Sequence, residues 1–140
     1  MSTTRIGHTA TLLSDGKVLV LGGIPAIQNL HEQPQGVVYA EIYDPETGAF
    51  SATKVILSQD SYTATLLKSG QVLIAGGEEA SVAVAKAMLI DAANGTMTAT
   101  GSLVTARKCH AATLLNDGRV LVTGGTDSNG KTLATAEVYE

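Results

Sequence analysis

Apolar and polar positions alternate along this chain in short bursts, set apart by glycine, aspartate and asparagine. "TATLL" and "KVLVL" are β-rich apolar runs joined by Ser14-Asp15-Gly16. Asp-Gly between two such runs is a strong hairpin signal, because glycine reaches positive φ without a Cβ clash. The string then returns twice. Residues 8–23 read "HTATLLSDGKVLVLGG", residues 62–77 "YTATLLKSGQVLIAGG" and residues 110–125 "HAATLLNDGRVLVTGG". Ser69-Gly70 and Asp117-Gly118 stand at the equivalent turns. Each copy ends on a glycine pair: Gly22-Gly23, Gly76-Gly77 and Gly124-Gly125. His8, Tyr62 and His110 lead the three copies, and Arg5, Gln59 and Arg107 stand three positions before them.

The match continues downstream. "AEIYDPETGAF" (40–50) aligns with "AMLIDAANGTM" (87–97), and "AEVYE" (136–140) opens the third copy. A further element, "SATKVIL" (51–57), aligns with "TATGSLV" (98–104). Residues 44–48 and 91–95 supply the turns of a second hairpin, with Asp44 and Asp91 as side-chain acceptors. No segment sustains a 3.6-residue apolar period, and residues 82–89 are too short and alanine-rich to oppose the repeat. One unit is therefore predicted as four antiparallel strands in a meander of about 50 residues. A small sheet with two apolar faces cannot hide both alone. Stacking neighbours around an axis hides them, which is the logic of a β-propeller. The expected fold is all-β, with units over about 6–57, 60–104 and 108–140, the last lacking its fourth strand.

The repeat resembles the kelch family. Its marks are a double glycine after the second strand, a downstream aromatic, and a second large residue separated from it by six others. Tyr43 and Phe50 follow the first glycine pair, Ile90 and Met97 the second, and Tyr139 the third. The resemblance covers almost the whole chain in three in-register copies. It departs from the family where Trp is usual, since the chain has none, and where Ile90 and Met97 replace aromatics. It implies kelch-type propeller blades, about three of them with the last incomplete, forming a partial or half propeller. It further implies that the first strand of each blade lies nearest the axis and the fourth outermost.

Composition narrows the function classes. The chain has 140 residues, 44% hydrophobic and 16% charged, which are ordinary globular values. Net charge is −4, and only Arg107-Lys108 pair two cations, so a nucleic-acid partner is not expected. The apolar runs fall far below the roughly 18 residues of a membrane span, so no membrane partner is expected. "MSTTRIGHTA" lacks a basic-then-apolar leader, and a cytoplasmic location is the default expectation. The single Cys109 cannot form an intrachain disulfide.

The candidate residues divide by whether the repeat absorbs them. The glycine pairs are read as structural, because a phosphate cradle needs a helix N-terminus and none is predicted. His8, Tyr62 and His110 share one slot, and catalytic asymmetry is not normally stamped into every copy. Arg5 and Arg107 are expected to bond backbone carbonyls between blades. Cys109 beside His110 lacks the converging ligands a metal needs and the orienting partner a nucleophile needs. No metal, cofactor or catalytic residue is expected. Copper oxidases occur in the kelch family, but none of their ligand motifs is visible here.

What breaks the repeat is the connection between second and third strands. It runs from Gly23 to Ala40 in copy one, and more briefly from Gly77 to Ala87 and from Gly125 to Ala136. Alternate loops of a meander leave by the same end, so these connections share one face. Variable loops on a rigid frame are where binding tends to reside. Gln28, Asn29, His31, Glu32 and Gln33 are the candidate binding residues, with Glu78, Glu79 and Asp127 on the same face. The expected function is a propeller module that binds a protein or a small ligand. The alternative is a fragment or subunit of a kelch enzyme of the oxidase or sugar-epimerase type, with its site near the axis. Two chains closing a six-bladed ring, or a longer chain containing this one, would cover the outer sheets.

Overall fold

The computed structural model describes Met1 and residues 4–23 and 39–140. All regular structure among them is β, in antiparallel sheets of two to four strands. No helix among the described residues is long and apolar enough to cross a membrane. Unit one is the meander β1 (Thr9–Leu12), β2 (Val18–Leu21), β3 (Tyr39–Asp44) and β4 (Ala49–Ile56). Unit two runs β5 (Thr63–Leu66), β6 (Val72–Ala75), β9 (Ala87–Asp91) and β10 (Thr96–Ala99). Between β6 and β9 sits a small hairpin, β7 (Glu78–Glu79) with β8 (Val82–Ala83). Unit three contains β11 (Ala111–Leu114), β12 (Val120–Thr123) and β13 (Ala136–Tyr139).

The register is the same in each copy. Thr9 faces Leu21, Thr63 faces Ala75 and Ala111 faces Thr123. The turns explain why. Asp15 Oδ1 accepts from Lys17 N at 3.1 Å, and Asp117 Oδ1 accepts from Arg119 N at 3.0 Å. Asp44 Oδ1 accepts from Glu46 N at 2.9 Å, and Asp91 Oδ1 from Ala93 N at 3.0 Å. Each side chain satisfies an amide that the turn would otherwise leave without a partner.

The sheets pack face to face, and β5 lies against both β1 and β11. The middle sheet is therefore apolar on both sides. Val72, Ile74 and Ile90 join Leu19, Leu21, Ala40 and Val55 in the core between units one and two. Leu73, Ala75 and Ala87 join Val120, Val122 and Leu103 between units two and three. β6 is buried at all four positions because its two faces serve two different cores.

The leading residues of units two and three lock onto the unit before them. Tyr62 Oη donates to the Leu21 carbonyl at 2.8 Å. Its ring covers Gly22, where an added Cβ would collide with the Tyr62 hydroxyl. His110 takes the same place over Gly76, where a Cβ would stand 2.5 Å from the Arg107 carbonyl oxygen and 2.6 Å from His110 Cε1. Gly22 and Gly76 are thus shelves for the next unit, and the first glycine of every pair has φ of +60° to +68°, which suits glycine. The second glycine packs its own unit: a Cβ on Gly125 would meet Lys108 O at 2.6 Å and His110 Cβ at 2.9 Å.

Arg5 and Arg107, expected to bond carbonyls between blades, bond them within their own unit, and Gln59 does the same. Arg5 Nη1 donates to Gly22 O at 2.9 Å, Gln59 Nε2 to Gly76 O at 2.8 Å, and Arg107 Nη1 to Gly124 O at 2.8 Å. The glycine shelf is held by the residue three positions before the lead. The arginine charge is met by a glutamate on the third strand: Arg5–Glu41 at 2.7 Å and Arg107–Glu137 at 2.9 Å. In unit two, where Gln59 replaces arginine, Met88 replaces the glutamate. Charge enters this buried slot as a pair or not at all, because a lone buried ion is costly.

That pairing is testable. Arg5 and Glu41 side chains are 1% and 2% exposed. Glu41→Ala should cost about 3–5 kcal/mol in urea unfolding. The double change Arg5→Gln with Glu41→Met, which copies unit two, should be less destabilising than either single change. Additive costs would show that the two positions act independently.

Candidate functional site

The turns between first and second strands and between third and fourth strands meet at one end of the stack. The connections between second and third strands of units two and three, and those between units, lie at the other. At that second end Asp60 bridges Glu78, and Lys108 bridges Thr126, by backbone pairing. This end carries Glu78 and Glu79, and Asp127 directly follows Thr126. Gln28, Asn29, His31, Glu32 and Gln33 lie outside the described residues.

Glu78 and Glu79 sit on β7. The hairpin turn that follows is Ala80-Ser81, both left-handed at φ +49° and +68°. Glu78 Oε2 meets Lys108 Nζ at 2.6 Å, and its Oε1 accepts from Ser61 Oγ at 3.0 Å. The lysine first, then the serine, hold the Glu78 carboxyl below the usual range. Beside it, burial first and the Glu78 charge second push the Asp60 carboxyl up. Glu79 pairs with Lys86 at 3.1 Å and accepts from Ser58 Oγ at 3.4 Å. Asp127 Oδ1 accepts from the backbone amides of Asn129 and Lys131, each at 2.9 Å. The end is therefore a lattice of opposite charges spanning units two and three. It can present fixed carboxylates and ammonium groups to a ligand by hydrogen bonding and charge complementarity.

The opposite end holds a groove of about 510 Å³ between units one and two. Ser14, Asp15 and Lys54 line one side, and Asp91, Asn94 and Gly95 the other. Asp91 is held below the usual carboxylate range, first by the backbone amide of Asn94 and then by its side chain. Reading one unit at a time could not find this groove, since it arises where turns from two units face each other. The only sequence signal was that those turns carry Asp and Ser in both copies.

The lead residues directly follow the connections at the Glu78 end. Tyr62 is buried, and burial pushes its phenol up to about 12. His110 is buried too, and its Nε2 lies 3.1 Å from Thr63 Oγ1. His8 is exposed. Tyr43 and Phe50 stack at 4.9 Å on the outer side of unit one, while Ile90 and Met97, at the same register, pack into the first core. Tyr139 packs into the second core and bonds Thr100 Oγ1 through its hydroxyl at 2.6 Å. Cys109 is exposed and stands in a left-handed turn at φ +53°. Gly7 and Ser61 occupy the same slot in the other units, at φ +76° and +54°. Among the described residues no three His, Cys, Asp or Glu side chains converge to hold a metal ion.

No protein-family model matches the chain, and no curated protein matches it either.

His110 provides a pH test. Burial first, and the Arg107 charge second, push its imidazole below the ordinary 6.5. The folded chain therefore holds the ring neutral while the unfolded chain takes up a proton. Its contribution is complete above about pH 6.5 and is lost as the pH falls from there towards the folded value. The urea midpoint should drop between about pH 7.5 and about pH 5.5, and drop less in His110→Tyr, which copies Tyr62. An equal drop in both proteins would refute this role.

Proposed function

We propose that this chain is a kelch-like propeller module whose function is to bind a protein or a small ligand through the connections between second and third strands. Supporting the propeller reading, three sheets of one register stack through one repeated joint, with first strands side by side. The binding reading rests on one observation above all. The frame repeats closely, but the connections at one end do not: unit two builds a carboxylate-bearing hairpin and unit three an aspartate-capped turn. Variation confined to one end of a rigid scaffold is the arrangement of a recognition surface. Fixed Glu78–Lys108 and Glu79–Lys86 pairs favour a polar, charged partner surface.

The test compares two variants for partners retained from a whole-cell extract. In one, residues 24–38 are replaced by the shorter connection of unit two. In the other, Lys54→Glu and Asn94→Ala alter the groove at the opposite end. The loop exchange should lower recovery of the retained partners about tenfold, with the groove variant unchanged. Recovery that survives the loop exchange and fails in the groove variant would overturn the assignment.

A further inference from the structure

The joint between units has two halves, a glycine shelf and a lead side chain, and among the described residues each half stands open once. Gly22 carries Tyr62 and Gly76 carries His110. Gly124 has the same left-handed backbone, φ +67°, but the nearest atom to an added Cβ is Leu133 O at 3.7 Å. His8, the lead residue of unit one, is exposed.

The sheet faces follow the same pattern. Ala40 and Ala87 are 0% and 2% exposed beneath the next unit, whereas their counterpart Ala136 is exposed. Ile42 and Leu89 pack into cores, whereas their counterpart Val138 is 43% exposed. On the other side, Leu66 and Leu114 pack against the preceding unit, whereas Leu12 is 63% exposed. Among the described residues β13 pairs only with β12, so its far edge is open as well.

We propose that the outer face of unit three docks the outer face of unit one of a second copy of this chain, with His8 of one copy seated over Gly124 of the other. Both faces are halves of a joint that the chain already makes twice within itself, so a second copy offers the matching surface in residue type and in spacing. A head-to-tail contact that closes at two copies uses the joint twice and leaves no face open. Closure at two rests on the propeller reading above, since six sheets suit a ring of about five to seven. The joint itself does not depend on that reading. One departure is Ala111, which lacks the hydroxyl that Thr63 presents to His110, so His8 must rely on the shelf and the apolar face.

Light scattering on the purified full chain should give twice 14.3 kDa. Leu12→Lys and Val138→Lys alter exposed side chains on opposite faces, and each alone should return the mass to 14.3 kDa with unchanged circular dichroism. Gly124→Val should do the same, while Gly130→Val, equally left-handed at φ +78° but in open space, should keep the pair. If Gly124→Val fails to fold, the two lysine variants decide. A wild-type monomer overturns the proposal and leaves the ligand-binding reading standing. A mass that grows beyond two copies overturns closure and the ring reading together. A pair sensitive to only one face overturns the head-to-tail joint.

Discussion

The contact between a lead side chain and the glycine beneath it sets the terms for the rest of this structure. A sheet of four short strands has two apolar faces and cannot bury both by itself. Tyr62 and His110 solve this by reaching back over Gly22 and Gly76 into the preceding unit. The approach is too close for any side chain, so the shelf must be glycine, and the tight turn of backbone there adds a second reason. With the shelf in place, β2 and β6 slide beneath the next sheet, and the alternation of side chains along β6 feeds two cores at once.

The shelf carbonyl in turn needs a donor, which explains the polar residues found deep in the stack. Arg5, Gln59 and Arg107 all bond that carbonyl. Two of them bring a charge, and Glu41 and Glu137 balance it. These buried pairs are a consequence of the joint. The groups we propose for binding lie elsewhere, at the end where connections vary. There Lys108 belongs to both systems: its backbone pairs with Thr126 while its ammonium group holds Glu78.

The strands, turns and repeat register were legible because each rests on local chemistry. Asp-Gly turns, alternating apolar runs and paired glycines act within a few residues of one another. The partner of Arg5 was less visible, since Glu41 lies 36 residues away. Its signature was nonetheless present, in the joint change of arginine to glutamine and glutamate to methionine in unit two. The left-handed turns at Ser61 and Cys109 were hidden because only Gly7, among the three equivalents, advertises positive φ. The groove beside Asp91 and Lys54 was hidden for a different reason, because it belongs to two units together. The candidate binding end was legible as a place of variation, while the pairing of Glu78 with Lys108 required knowing how units two and three meet.

If the joint is what makes three sheets one structure, the bonds that cross it should open only when everything opens. The amides of Gly77 and Cys109 cross from unit two to unit three, bonding Arg107 O at 2.8 Å and Ser61 O at 3.0 Å. Native-state hydrogen exchange measures them directly against the amides of β6 in the middle of the stack. The account predicts equal opening free energies for the crossing amides and for β6, matching the global unfolding value. Crossing amides that exchange well before β6 would mean that the units separate individually, and would contradict it.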